Sequence, residues 1–169
     1  MEFQTQRLKS TRIETHLNSQ ARRIALERDL RVMLTPDVLR FLPPQLTLES
    51  GVNGIKDWIA QRRSAAEVYT ISEIGAEDVI GLLFLMPTSA PELREHRVVS
   101  LGYMFAESVW GKGYASELIA AVLSNLRDCS VRGGVAVGNS ASVRVLTKNG
   151  FHINKDLSDH EVEMYEIIL

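Results

Sequence analysis

Leu101-Gly-Tyr-Met-Phe-Ala-Glu-Ser-Val-Trp-Gly-Lys-Gly-Tyr-Ala115 is the stretch on which the reading of this chain turns. Its upstream part belongs to an apolar run, Arg97 to Phe105, that predicts a strand. Gly102 within that run predicts a bulge or a close backbone approach. Downstream, Ala115, Leu118, Ile119, Val122, Leu123 and Leu126 recur at i, i+3, i+4, i+7, i+8 and i+11, which is one apolar face of an amphipathic helix. Gly111 and Gly113 occupy the short connection between strand and helix. The first amides of a helix have no internal partners and carry the positive end of its dipole. Glycines beside them let the backbone come close to a ligand, so the segment reads as a cradle for phosphate, with Lys112 adding charge. A plain glycine turn before a helix is the other reading of the same residues. The pattern is not Gly-x-x-x-x-Gly-Lys-Ser/Thr. It also has Ser116 where a dinucleotide fingerprint needs its third glycine.

Outward from this segment the elements alternate in kind. Arg7 to Ile13 is extended, and Asn18 or Ser19 caps a helix through Ala21 to Leu34. Thr35-Pro36-Asp37 starts another helix, with a cap, a proline at its first position and an early acid. Pro43-Pro44 closes it, and a third helix runs from Gly54 to Ala66 behind an Asn53 cap. Val68 to Ile71 is a strand, Gly75 to Asp78 a turn, and Val79 to Met86 an apolar strand of the kind covered on both faces. Pro87 to Glu95 reads as a loop. Beyond the long helix come a strand from Val131 to Val137 and a short helix from Ser140 to Asn149, capped by Asn139 or Ser140 and stopped by Gly150. Phe151 to Lys155 and Glu161 to Leu169 are two closing antiparallel strands. Helices followed by β-β-β-α-β-α-β-β predict an α/β (α+β) layer fold around a mixed sheet.

Composition narrows the function classes. The chain has 169 residues, which suits a single domain spanning 1–169. It is 45% hydrophobic and 24% charged, so disorder is excluded. A net charge of -2 calls for no nucleic-acid or membrane partner. One cysteine, Cys129, makes no internal disulfide and lies in a polar stretch at the end of the long helix, without a catalytic context. His16, His96, His152 and His160 have no metal-ligand spacing, and no metal is expected. No signal peptide or membrane-length apolar run is visible, so a cytoplasmic protein is expected.

A second segment, Asn139-Ser-Ala-Ser142-Val-Arg-Val-Leu-Thr-Lys148-Asn-Gly150-Phe151, follows the later strand in the same strand-to-helix manner. Taken together, the two segments resemble the signature motifs of the GCN5-related N-acetyltransferase (GNAT) superfamily. Trp110-Gly-Lys-Gly-Tyr-Ala115 is similar to its pyrophosphate loop, and Asn139-x-x-Ser142-x-x-x-Leu146-x-Lys148-x-Gly150-Phe151 to its second motif. The wording of the loop resembles the ribosomal-protein N-terminal acetyltransferase (RimJ/RimL-type) branch. So do Thr5-Gln-Arg7-Leu8 and the late His160-Glu-Val-Glu-Met-Tyr165.

The resemblance implies a mostly antiparallel sheet of six to seven strands with helices on both faces. It implies direct transfer of an acetyl group from acetyl-CoA to a primary amine, either a protein N-terminus or a small molecule. The amides of Gly111, Lys112, Gly113, Tyr114 and Ala115, flanked by Trp110, would grip the pyrophosphate. Met104 and Phe105 would pair with pantetheine, and an amide at Gly102–Tyr103 would support the oxyanion. Asn139 would bind pantetheine or orient the site, and Lys148 and Arg144 would face the adenosine phosphates. Ser142 is the branch's candidate for protonating the thiolate; as a helix-start hydroxyl it has an equally ordinary explanation. An ammonium cannot attack, so a base is needed, and Glu161, Asp159 and Glu73 are the candidates. A homodimer is the default oligomer. Two competing readings stay open: a non-catalytic acyl-CoA-binding domain, and a module using the glycine loop for another nucleotide.

Overall fold

The computed structural model describes residues 1–42, 54–88 and 97–169. Among these residues, eight strands form one sheet in the order β1-β2-β3-β4-β5-β6-β8-β7. They are β1 (Phe3–Gln4), β2 (Leu8–Arg12), β3 (Glu67–Glu73), β4 (Gly81–Thr88), β5 (Arg97–Phe105), β6 (Cys129–Ala136), β7 (His152–Ile153) and β8 (Val162–Ile168). All neighbours are antiparallel except β5 and β6. The helices are α1 (Ile13–Leu17), α2 (Gln20–Met33), α3 (Pro36–Leu39), α4 (Gly54–Ala65), α5 (Tyr114–Ser124) and α6 (Ser140–Lys148). The sheet exceeds the expected strand count because the two residues of β1 pair with β2, a contact too short to leave a period in sequence.

Period-two alternation sorts the central strands between two cores. On one face Leu83 and Leu85 of β4 join Val99, Leu101 and Phe105 of β5 beneath Leu118, Ile119 and Val122 of α5 and Leu146 of α6. On the other, Leu82, Phe84 and Met104 pack under Leu26, Leu30 and Met33 of α2, Val38 of α3 and Trp58 of α4. Leu118, Ile119 and Val122 are fully buried, each contributing about 2 kcal/mol through burial. The expected caps form: Ser19 Oγ accepts from the Arg22 amide, and Thr35 Oγ1 accepts from that of Val38. Asn53, the Pro43-Pro44 stop and His96 lie outside the described residues.

Three local expectations are corrected. Gly102 is neither a bulge nor a crowded position. The β4–β5 register runs unbroken from Gly81↔Phe105 to Thr88↔Val98, and a Cβ at Gly102 would meet only Phe84, at 3.7 Å. The strand expected to end at Met86 continues through Pro87 and Thr88, which pair with Val99 and Val98. Cys129 does not end the long helix; it opens β6 and is fully buried.

What positions the site is the junction of β5 and β6. These parallel strands are paired only from Arg97↔Cys129 to Ser100↔Arg132. Beyond that point β5 stays with β4 and β6 stays with β8, so the two part company. Gly133, just past the last pair, leaves room for α6: a Cβ there would press on Leu146 Cδ1 at 3.2 Å.

The tightest glycine in the core is Gly81, at the start of β4. A Cβ there would lie 2.7 Å from the Phe105 ring and 2.9 Å from the Met104 carbonyl oxygen. Gly81→Ala is expected to destabilise the protein by about 1–3 kcal/mol through overpacking, read as a lower urea midpoint at an unchanged m-value.

Candidate active site

The free edge of β5, the loop after it and α6 enclose a cleft of about 480 Å³. The loop comprises a single 3-10 turn, Glu107–Val109, and then Trp110 to Gly113, where α5 begins. Gly111 and Gly113 have φ of +74° and +80°, a region that costs other residues roughly 1–2 kcal/mol. A Cβ at Gly111 would meet nothing within 4 Å, so conformation rather than crowding sets the need for glycine there. Side-chain oxygens cap α2, α3 and α6, whereas the N-cap of α5 is Gly113 and supplies none. The orphan amides of α5 are therefore left for a ligand.

Most residues singled out from sequence meet here. Tyr103, Met104, Phe105, Trp110, Gly111, Gly113, Tyr114, Ala115, Asn139, Ser142 and Lys148 all line the cleft. The indole N–H of Trp110 donates to the Phe105 carbonyl at 2.8 Å, closing the loop back onto the end of β5. Asn139 Oδ1 accepts from the Ser142 amide at 3.1 Å, so the same residue caps α6 and faces the cleft. Asn149 Nδ2 donates to Ser116 Oγ at 3.2 Å and ties the end of α6 to the start of α5. Arg144 and Lys148, one turn apart on α6, also face the cleft and give this wall a positive charge.

Tyr103 is the unusual group. It stands on the α6 face of β5, and its hydroxyl is buried with no well-formed hydrogen bond. Burial pushes its pKa above the ordinary 10.0, and the neighbouring Ser142 hydroxyl opposes that rise. Buried hydroxyls are normally hydrogen-bonded, and Ser142 is the neighbour placed to serve this one.

Four residues named from sequence are not brought to the cleft. Lys112 is in the loop but does not line the cleft; its carbonyl accepts from Arg7 Nη1 at 3.0 Å. Glu161 sits in an exposed turn before β8, 80% exposed at its side chain. Asp159 is spent on that turn, accepting from the amides of Glu161 and Val162 at 2.8 Å each. Hydrogen bonds from those two amides hold the Asp159 carboxyl below its ordinary range. Glu73 accepts from the Tyr114 hydroxyl at 2.5 Å, and that bond raises the Tyr114 pKa. Among the described residues, the carboxylate that does line the cleft is Asp37, beside Val38, Phe41 and Leu42. In sequence Asp37 reads as an ordinary first-turn acid, and nothing local marks it otherwise.

Among the described residues no helix is long and apolar enough to cross a membrane. Solved structures of the same fold include RimL, a ribosomal-protein α-N-acetyltransferase in complex with coenzyme A (19% identity, TM-score 0.65, covering 98% of this chain and 96% of that one). They also include a spermidine N-acetyltransferase from Vibrio cholerae in complex with CoA and spermine (16% identity, TM-score 0.69, covering 97% and 96%). The uncharacterized protein YkkB of Bacillus subtilis strain 168 is 30% identical over 127 residues, covering 68% of this chain and 72% of YkkB. Residues 21–152, which hold both signature segments, match the acetyltransferase (GNAT) domain family. The chain belongs to that family, and it is an acetyl-CoA-dependent N-acetyltransferase.

Proposed function

We propose that acetyl-CoA lies along the cleft from the loop to Tyr103 and that an amine meets it from the α3 side. The observation carrying this reading is the uncapped, glycine-led start of α5 opening into the same cleft that Tyr103 and Ser142 line. The free amides of the loop face the pyrophosphate, with Arg144 and Lys148 toward the adenosine phosphates. Pantetheine follows the edge of β5 at Met104 and Phe105, where the strand pairs with β4 alone and its β6 side has no ladder partner. Asn139 shapes the α6 wall beside it.

The thioester then lies between Tyr103 and Ser142. Amine attack develops charge first on the carbonyl oxygen and then on the departing sulfur. A phenol held above 10.0 is a weaker acid than an ordinary thiol, about 8.5 for cysteine, so outright proton transfer to a thiolate runs uphill. Tyr103 therefore serves as a hydrogen-bond donor to the developing charge, oriented by Ser142, rather than as a freely ionising acid. The acceptor is a primary amine, either a protein N-terminus or a small molecule. Asp37 attracts its ammonium form among the apolar Val38, Phe41 and Leu42 and lies on the path of the proton that must leave it. The fold shared with RimL and with the spermidine enzyme supports both acceptor classes. A cytoplasmic setting belongs to the same proposal and is supported by the buried, unpaired Cys129.

The direct test is titration calorimetry with acetyl-CoA on the wild type and on Gly113→Trp, which forces a bulky side chain onto loop backbone held at φ +80°, with its Cβ 3.7 Å from Arg7 Nη2. Micromolar or tighter binding that disappears in the variant is expected; a folded wild type that ignores acetyl-CoA would sink the reading. Tyr103→Phe is expected to change stability by no more than about 1 kcal/mol, the net worth of a single poorly formed hydrogen bond. With an accepted amine, kcat should fall on the order of 100-fold, the usual consequence of losing one donor to developing charge. An unchanged kcat would remove Tyr103 from the chemistry.

A further inference from the structure

The Thr5-Gln-Arg7-Leu8 turn takes no part in the chemistry above, yet it is bound tightly to the glycine loop. Arg7 donates from Nη1 to the Lys112 carbonyl at 3.0 Å and from Nε to Glu117 Oε2 at 2.7 Å. Its Nη2 lies 2.6 Å from that same carboxylate oxygen. The guanidinium covers the Tyr114 ring, 4.6 Å from its centroid. The Thr5 hydroxyl donates to Glu117 Oε1 at 2.5 Å, and the Arg7 amide donates to that oxygen at 3.0 Å. Thr5 is itself held by accepting from the Leu8 amide at 2.8 Å, so the turn is rigid at the point where it grips the loop.

These contacts act on the direction of the loop's backbone groups. The chain has no cis peptide bond among its described residues, so the Lys112 carbonyl and the Gly113 N–H point in opposite directions. Arg7 holds that carbonyl on its own side. The Gly113 N–H is thereby turned to the other side, and a rotation of this peptide would instead aim a carbonyl oxygen at an incoming anion. Glu117 presents a second hazard. It lies in the first turn of α5, where free amides and the helix dipole attract a carboxylate. Thr5 and Arg7 hold both of its oxygens. Burial works against its ionisation, but the hydrogen bonds from Thr5 and Arg7 outweigh burial and keep its pKa below the ordinary range. The charges of Arg7 and Glu117 largely cancel at the loop, so the strap orients the loop rather than adding positive field.

We propose that Arg7 is a positioning residue for pyrophosphate recognition: it fixes the Lys112–Gly113 peptide with its amide toward the cleft and withholds Glu117 from the amides that receive the anion. The inference rests on the loop being the pyrophosphate site of acetyl-CoA. It goes further in assigning a function to a residue that does not itself line the cleft.

The test compares wild type, Arg7→Ala and Arg7→Lys by calorimetry with CoA, alongside pantetheine binding followed by NMR titration. Pantetheine has no pyrophosphate and serves as the control ligand. Arg7→Ala should weaken CoA binding about tenfold, the loss expected for one hydrogen bond to a charged group, and leave pantetheine unchanged. Arg7→Lys guards against a folding failure. A lysine keeps the ion pair with Glu117 but lacks the planar fork that reaches Lys112 at the same time. It should melt with the wild type and still lose most of the CoA affinity. Both variants binding CoA as the wild type does, or losing CoA and pantetheine in parallel, would overturn the proposal. A wild type that binds no CoA would overturn the underlying reading and the inference with it, an outcome visible before either variant is made.

Discussion

Everything distinctive about this protein depends on a parallel pairing that stops early. β5 and β6 share a ladder over only four residue pairs, Arg97↔Cys129 to Ser100↔Arg132, and then diverge. Each keeps its other neighbour, so the sheet does not come apart: β4 holds β5 to its end and β8 holds β6. The facing edges pay in unmatched backbone groups, which folded proteins rarely leave buried without partners. Part of this deficit is met internally, as when the Trp110 indole reaches the Phe105 carbonyl. The rest makes the gap receptive to an extended ligand. The same divergence brings Tyr103 under α6 and delivers the chain at the end of β5 directly into the glycine loop.

Charge within the cleft is graded independently of the chain as a whole. The net charge of -2 offers no general attraction for a polyanion. Attraction is local, from orphan amides at the start of α5 and from Arg144 and Lys148 on α6, while the α3 end presents Asp37 among apolar side chains. On the proposed reading, the phosphates of the donor meet the amides and cations of this wall, and the ammonium of the acceptor meets Asp37. Screening by salt reaches exposed charges such as Lys148 more than amides fixed in a helix terminus.

The fold was legible in sequence wherever a local pattern had a local cause. The face of α5 followed from the spacing of Leu118, Ile119 and Val122, and the start of α3 from Thr35-Pro36. The glycines of the loop followed from backbone dihedrals that few other residues adopt. What escaped was non-local. Gly102 suggested a bulge because a glycine in a strand often marks one, but the opening of the sheet is produced by strand divergence, which no single residue encodes. Glu161 and Asp159 looked like bases near a closing strand, and the structure places them in an exposed turn. Asp37 went unnoticed because its position in the cleft depends on how α3 packs under Met104. Arg7 was visible as part of a motif, but its partners lie 105 and 110 positions away.

The two cores carry a consequence for how such a protein changes over time. Among the described residues no buried one belongs to both: one core lies under α5 and α6, and the other under α1 to α4. Substitutions in well-separated sites tend to have independent effects. One core can therefore be repacked with little effect on the other. The middle strands are the exception, because β4 and β5 send alternate side chains to each side. They should tolerate the least drift of any part of the molecule.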